Sequence, residues 1–166
     1  MDEKNRRTEI LELLEADARY TPQELAAMLN MEPAAVEEVI REMEREGLIL
    51  GYRTLINWSK IGVERVNALI EVKVTPQRDV GFDAVAERIA RFPEVKTMRL
   101  MSGTYDLAVE VQGKTMQEVA FFVATRLAPI EGVVSTTTHF VLKSYKENGI
   151  LFESKEESAS RLVVSP

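Results

Sequence analysis

The chain has 166 residues, 45% of them hydrophobic, no cysteine and one histidine, and a formal net charge of −6. This composition supports a globular core in one large or two small domains, and it excludes a disulfide framework, a thiolate metal site and any ordinary zinc site. No run approaches the roughly 18 apolar residues of a membrane-spanning helix, and the start MDEKNRRTEI is acidic where a secretory leader would be basic and then apolar, so a cytoplasmic protein that does not engage a membrane is expected.

The acidity is uneven. Residues 1–60 hold 8 Lys+Arg against 13 Asp+Glu, and residues 61–166 hold 13 against 14. Nonspecific nucleic-acid affinity comes mostly from neutralising phosphates, so a first third with this balance is expected to hold arbitrary DNA weakly.

From about Glu3 to Leu14, the residues Ile10, Leu11 and Leu14 recur at helical spacing among charges, which predicts an amphipathic helix. TPQEL follows. Thr21 as N-cap, Pro22 at the first helical position and Glu24 three residues after the cap form a capping box, because hydroxyl and carboxylate each satisfy an otherwise free backbone N–H. Leu25, Met28 and Leu29 supply the apolar stripe of this second helix. After a turn over Asn30 to Glu32, Pro33 opens a third helix with Val36, Val39, Ile40 and Met43 inward, and Gly47 stops it. Three short helices with a tight turn between the last two are either a plain bundle or a helix-turn-helix. LILGYRTLIN, residues 48–57, reads as two short strands around Gly51, and that favours a winged helix.

The third helix carries five glutamates and two arginines over residues 33–47. At about 100° per residue, the side opposite the apolar stripe presents Ala34, Glu38, Arg41, Glu42 and Arg45. Glu37, Glu44 and Glu46 fall toward the flanks, placed to pair with Arg41 or with neighbouring helices. Arg41 and Arg45 are the expected DNA contacts, Glu38 a base contact through a cytosine amino group, and Arg53 in the wing a phosphate contact. The bland alternative is a helix-turn-helix that only packs or oligomerises.

NWSKIGVER, residues 57–65, reads as a linker anchored by Trp58 and Ile61. From Val66 the period changes to two. VNALIEVKV alternates Val66, Ala68, Ile70, Val72 and Val74 against Asn67, Leu69, Glu71 and Lys73, which predicts a strand. FDAVAERIARF places Phe82, Val85, Ile89 and Phe92 on one helical stripe. VKTMRLM and YDLAVEV are two further strands around the turn SGT. A second Thr-x-x-Glu box, Thr115 to Glu118, opens a helix expected to bury Met116, Val119, Val123 and Leu127. VVSTTTHFVLK, from Val133, is dense in β-branched residues and predicts the last strand. FPEV at 92–95 and IEGV at 130–133 echo each other, each joining a helix to the strand after it. The order β-α-β-β-α-β is the ferredoxin-like plan. In the third strand Tyr105, Leu107, Val109 and Val111 point one way, with Asp106, Ala108, Glu110 and Gln112 on the other, so neither face is wholly polar. A partner sheet is the expected cover, in a homodimer that builds a larger ring. The fold class is therefore α+β: a winged helix-turn-helix over residues 1–57, a linker over 58–65, a β-α-β-β-α-β domain over 66–153 and a tail over 154–166. Within that tail Lys155 to Ser160 reads as mobile, and RLVVSP as a segment that docks on a neighbour or frays.

A winged helix ending in EREGLILGYRTLIN, a Lys-Ile-Gly hinge, a β-α-β-β-α-β domain and the turn MSGTYDLAVEV together resemble the Lrp/AsnC, or feast/famine, family of transcription regulators, over residues 3 to 150. The resemblance implies binding of double-stranded DNA through paired helix-turn-helix domains, sheet-to-sheet homodimers that assemble to octamers in many members, and a small-molecule effector, usually an amino acid, held in the second domain between dimers. It implies no other cofactor. The family's effector pocket is lined by a Gly-x-x-Asp turn, which here is Gly103, Thr104, Tyr105 and Asp106. Glycine lets backbone N–H groups approach a carboxylate, and an aspartate can neutralise an α-ammonium. Polar residues of the last strand complete such sites, and the run Ser135 to Thr138 offers alternate members, of which Thr136 and Thr138 are the candidates. The fourfold Gly-x-x-Asp composition is also that of an ordinary turn, and the threonine run is also ordinary strand material.

Two alternatives stand beside the regulator. One is a ligand-gated oligomeric module that ignores DNA, suggested by the acidic third helix. The other is an enzyme, because siroheme decarboxylases resemble this two-domain layout. Decarboxylating a multiply carboxylated tetrapyrrole asks for convergent arginines and histidines, whereas this chain offers only His139, which reads as a structural or interface residue. No catalytic triad or phosphate-binding glycine loop is present, and the chain is expected not to be an enzyme.

Overall fold

The computed structural model describes residues 3–75 and 81–152, and the chain divides into two compact units, Met1–Ile56 and Asn57–Pro166. The expectations for residues 154–166 fall outside the described residues.

The first unit is three helices, α1 (Glu3–Ala16), α2 (Pro22–Leu29) and α3 (Pro33–Arg45). Its core is Ile10, Leu14, Leu25, Ala26, Val36 and Met43, the expected stripes meeting one another. Met28 departs from expectation: it is exposed, and Ala26 takes the buried place beside Leu25. An eight-residue helix has room for one narrow contact line, and the small residue sits closest to it. The capping box forms as read, with the Thr21 backbone N–H donating to Glu24 Oε2 at 2.8 Å and the Glu24 N–H donating to Thr21 Oγ1 at 3.3 Å. Gly47 adopts the left-handed conformation (φ 72°), which lets the Leu48 N–H close on the Met43 carbonyl at 2.9 Å and end α3.

Residues 48–57 correct the expectation of a two-stranded wing: they contain no strand. Leu50 is 94% exposed, and Leu48, Tyr52 and Ile56 are exposed as well. A lone two-stranded hairpin is marginal in water, and LGYR lacks the Asn-Gly or Asp-Gly pair that would pin its turn. Beyond the backbone bonds of Leu48 and Ile49 to the Met43 carbonyl, a side chain ties the segment to α3, the Tyr52 hydroxyl donating to Glu44 Oε1 at 2.9 Å.

The second unit begins with the expected linker, which is part of the unit. Trp58–Ile61 forms a short 3-10 turn, the Arg65 guanidinium lies 3.6 Å from the centroid of the Trp58 ring, and Asn57 Nδ2 donates to the Phe152 carbonyl at 3.4 Å. Then come β1 (Val66–Val74), α4 (Asp83–Ala90), β2 (Val95–Leu100), β3 (Leu107–Gly113), α5 (Met116–Phe122) and β4 (Val133–Phe140). The sheet order is β2-β3-β1-β4, all neighbours antiparallel, as the ferredoxin-like plan requires. The helix-covered face buries Ile70, Val72, Leu107, Val109 and Val111 against Val85 and Ile89 of α4 and Val119 and Phe122 of α5. The echo between FPEV and IEGV is structural: the Val95 N–H donates to the Phe92 carbonyl and the Val133 N–H to the Ile130 carbonyl, both at 3.0 Å.

Met116 is exposed rather than buried, and Phe122 is buried in addition to Val119 and Leu127. Met116 stands at the exposed start of α5, ahead of a change of pitch: Val123–Leu127 winds as a π-turn, with the Ala128 N–H donating to the Val123 carbonyl at 2.8 Å, so Leu127 comes inward five residues after Phe122. Beyond β4 a small hairpin pairs β5 (Lys146–Glu147) with β6 (Ile150–Leu151) across Asn148 and Gly149, both at positive φ. The Asn-Gly dipeptide is the signal for such a turn.

Candidate functional sites

On α3, Val36 and Met43 are fully buried and Val39 and Ile40 half-buried, while Arg41 and Arg45 have 59% and 70% of their side chains exposed. The outward face is therefore the one read from helical spacing. The arginines on it are engaged. Arg41 pairs with Glu37, and its Nη1 lies 3.8 Å from Glu38 Oε2; Arg45 Nη2 lies 3.4 Å from Glu38 Oε1 and 3.9 Å from Glu42 Oε1. Glu37 pairs with Arg41 and Glu46 with Arg7 of α1, as expected of flanking glutamates, whereas Glu44 accepts from Tyr52 outside any helix. Desolvation, and then the hydrogen bond to Glu44, holds the Tyr52 hydroxyl above its ordinary pKa. Arg53 is exposed and makes no ion pair among the described residues. The Tyr52–Glu44 tie escaped the sequence reading, because Glu44 and Tyr52 meet only once Gly47 reverses the chain between them.

In the second unit, the turn between β2 and β3 spans residues 102–106, and the strand starts at Leu107 rather than at Tyr105. Gly103 and Thr104 are exposed, and Tyr105 and Asp106 half-buried. Gly103 lies outside the left-handed region, and a Cβ built on it meets nothing within 4 Å. The turn itself does not demand glycine there, and the space above its backbone is open. Asp106 is tied to the end of β1: its Oδ2 accepts the Val74 N–H at 2.8 Å, and its own N–H donates to the Val72 carbonyl at 3.1 Å. One carboxylate oxygen thus serves the fold.

The threonine run divides by register. Thr136 stands opposite Val72 and Thr138 opposite Ile70, so both lie on the helix-covered side, half-buried. Ser135, Thr137 and His139 lie on the open side, opposite Lys73, Glu71 and Leu69. Thr136 comes to the same end of the sheet as the Gly103–Asp106 turn, through their shared neighbour Val72, whereas Thr138 sits two residues deeper. The open side is laced with polar pairs: Arg99–Glu110 at 2.8 Å, His139 Nε2 to Glu71 Oε1 at 3.3 Å, and Gln112 to Asn67 at 2.9 Å. Between them lie half-buried Leu69 and buried Ala108. His139 is thus a neighbour of Glu71 on the open sheet face. Among the described residues no group of histidine, aspartate and glutamate forms a metal site, and no helix is long and apolar enough to cross a membrane.

Comparison with known proteins covers both units. Residues 4–49 match the model for winged helix-turn-helix DNA-binding domains, and residues 67–151 match the Lrp/AsnC ligand binding domain. The chain is 48% identical over 160 residues to the uncharacterized HTH-type transcriptional regulator YugG of Bacillus subtilis, covering 96% of each chain. It is 34% identical to the uncharacterized HTH-type transcriptional regulator PH0140 of Pyrococcus horikoshii, over 84% of this chain and 85% of that one. Among solved structures, the transcriptional regulator NMB0573 of Neisseria meningitidis, crystallised with L-Met, superposes with a TM-score of 0.69 at 23% identity, over 89% of this chain and 93% of that one. These relatives are regulators, which sets the enzyme alternative aside. With its helix-turn-helix and its β-α-β-β-α-β unit both matched, the chain belongs to the Lrp/AsnC family of transcription regulators.

Proposed function

We propose that this protein reads duplex DNA through α3 and senses a small amino acid through its second unit, the two activities being linked by assembly of the chain into dimers and larger rings. The observation that carries the DNA half is the position of Arg41 and Arg45, both exposed on the side of α3 opposite Val36 and Met43. Guanidinium forks suit guanine edges, Glu38 suits a cytosine amino group, and Arg53 is free to take a phosphate. The protein acts in the cytoplasm, where its DNA is.

The effector half rests on the Gly103–Asp106 turn. An amino-acid carboxylate approaches the open backbone at Gly103 and Thr104, and the ammonium group is neutralised by Asp106 Oδ1, with Tyr105 and Thr136 completing the pocket and Thr138 behind it. The L-Met bound to the structurally similar Neisseria protein supports an amino acid as the ligand class. Partner subunits supply the remaining cover: the open sheet face, with Leu69 and Ala108 among its ion pairs, is the surface for a second sheet, and dimers assemble further toward an octamer. No cofactor besides the effector is required.

The test is fluorescence anisotropy on a duplex from the gene's own upstream region and on a scrambled duplex, across a salt series and with an amino-acid panel. Tight, sequence-dependent binding that one amino acid modulates is the expected result. The second reading, an assembly module acting through protein partners, is favoured by one observation, the engagement of both α3 arginines by glutamates. Absence of binding at low salt with every amino acid tried decides for it.

A further inference from the structure

Glu38 is, among the described residues, the one carboxylate within ion-pair range of both α3 arginines, at 3.8 Å from Arg41 and 3.4 Å from Arg45. Glu37 reaches only Arg41, and Glu42 only Arg45. We propose that Glu38 is the specificity-determining residue of the DNA-reading helix: it holds both guanidinium groups along the helix surface, so that they leave it for base edges and not for arbitrary phosphate. This rests on the reading of α3 as the DNA-contacting element.

The geometry supports such an exchange. The two pairs span one and two helical turns and form a ladder along the outward face, with Glu38, itself 57% exposed, at its N-terminal end. Exposed pairs of this kind are weak and screened by salt, so they open readily when a better partner arrives. A guanine edge is such a partner, since it takes a guanidinium with two hydrogen bonds. An isolated phosphate on random DNA must bind the arginine while also tolerating the carboxylate that the two arginines share, and like charges repel. At a cognate site Glu38 has its own compensation, a cytosine amino group, which random sequence does not provide. Specificity here comes from a repulsive element beside the attractive ones.

Glu38→Gln is the informative variant, because the amide keeps an acceptor oxygen for cytosine and removes the charge. Glu12→Gln, at an exposed position of α1, makes the same change in net charge away from the ladder. A cognate duplex is first enriched from a random pool with the wild-type full-length protein. Affinity is then measured by anisotropy for that duplex and for a scrambled one, between 50 and 200 mM salt, the range over which phosphate contacts separate about a thousandfold or more. Glu38→Gln is expected to bind scrambled DNA about threefold to tenfold more tightly. Its salt slope on scrambled DNA should steepen by about one for each arginine released to phosphate. Cognate affinity rises less, so the specificity ratio falls, and Glu12→Gln reproduces none of this. An unchanged ratio in Glu38→Gln, or an equal change in Glu12→Gln, overturns the proposal while leaving the regulator intact. Failure of the wild-type protein to enrich any duplex overturns both.

Discussion

The two units solve the problem of carrying a site in opposite ways. In the first, the proposed DNA-reading face is the surface of one helix, and its residues lie close together in sequence: Glu37, Glu38, Arg41, Glu42 and Arg45 interact among themselves before any ligand arrives. In the second, Gly103 to Asp106 and Thr136 come to the same end of the sheet only because β1 lies between β3 and β4 and presents the Val72 and Val74 backbone to Asp106. A site on one helix is legible from a 3.6-residue period, and its charges can be tuned without disturbing the fold. A site built across a sheet shares groups with the fold, so changing it also changes stability.

The largest effects should separate the two cores. Ile70→Ala and Met43→Ala each empty a fully buried position and are expected to cost about 2–5 kcal/mol in their own unit. Trp58, the chain's one tryptophan, belongs to the second unit. In urea titrations, its fluorescence midpoint should fall for Ile70→Ala and stay for Met43→Ala; equal shifts would show that the units unfold together.

Asp106 sharpens the contrast at the next scale. Asp106→Ala removes the acceptor of the Val74 N–H and is expected to destabilise the second unit by about 1–3 kcal/mol, besides abolishing the effector response. Asp106→Asn keeps an acceptor oxygen and removes the charge, so it should melt near the wild type and still fail to respond. Thermal shift with an amino-acid panel distinguishes the two, and a normal response in Asp106→Asn would remove the carboxylate charge from the site.

A smaller effect belongs to the second helix. Thr21→Ala should cost about 1 kcal/mol through loss of the cap. Hydrogen bonds from the Thr21 backbone, and then from its hydroxyl, lower the pKa of Glu24 below its ordinary value. A carboxyl group whose folded pKa is depressed stabilises fully above its unfolded pKa and loses that contribution as pH falls toward the folded one. The first unit should therefore lose stability through the acidic range, and Glu24→Gln should remove that component of the pH dependence. The smallest expected change is in Arg41→Ala. Its intrahelical pairs are exposed, so stability should move by less than about 0.5 kcal/mol while cognate DNA affinity falls. A large loss of stability instead would make Arg41 structural.

Much of the fold was legible. The capping box at Thr21, the inward stripe of α3, the alternation of β1 and the matching FPEV and IEGV turns are local, and each formed as its spacing indicated. The misses share a cause. Met28 and Met116 lie at positions whose burial depends on what packs opposite, and the strands expected in residues 48–57 needed a pairing energy that no local signal supplies. The Asn148-Gly149 hairpin is readable from its dipeptide, but its two strands of two residues each carry no alternation to announce them.

By itself the sequence determined where the helices of the first unit begin, which face of α3 is apolar, the order β-α-β-β-α-β and the outward position of Arg41 and Arg45, because periodicity and capping act over a few residues. Tertiary structure alone decided that Thr136 and Thr138 turn toward the helices while Ser135, Thr137 and His139 turn away. It decided likewise that half of the Asp106 carboxylate is committed to Val74. Both depend on register, and a shift of one residue would exchange the two faces of β4 without changing a letter of the chain.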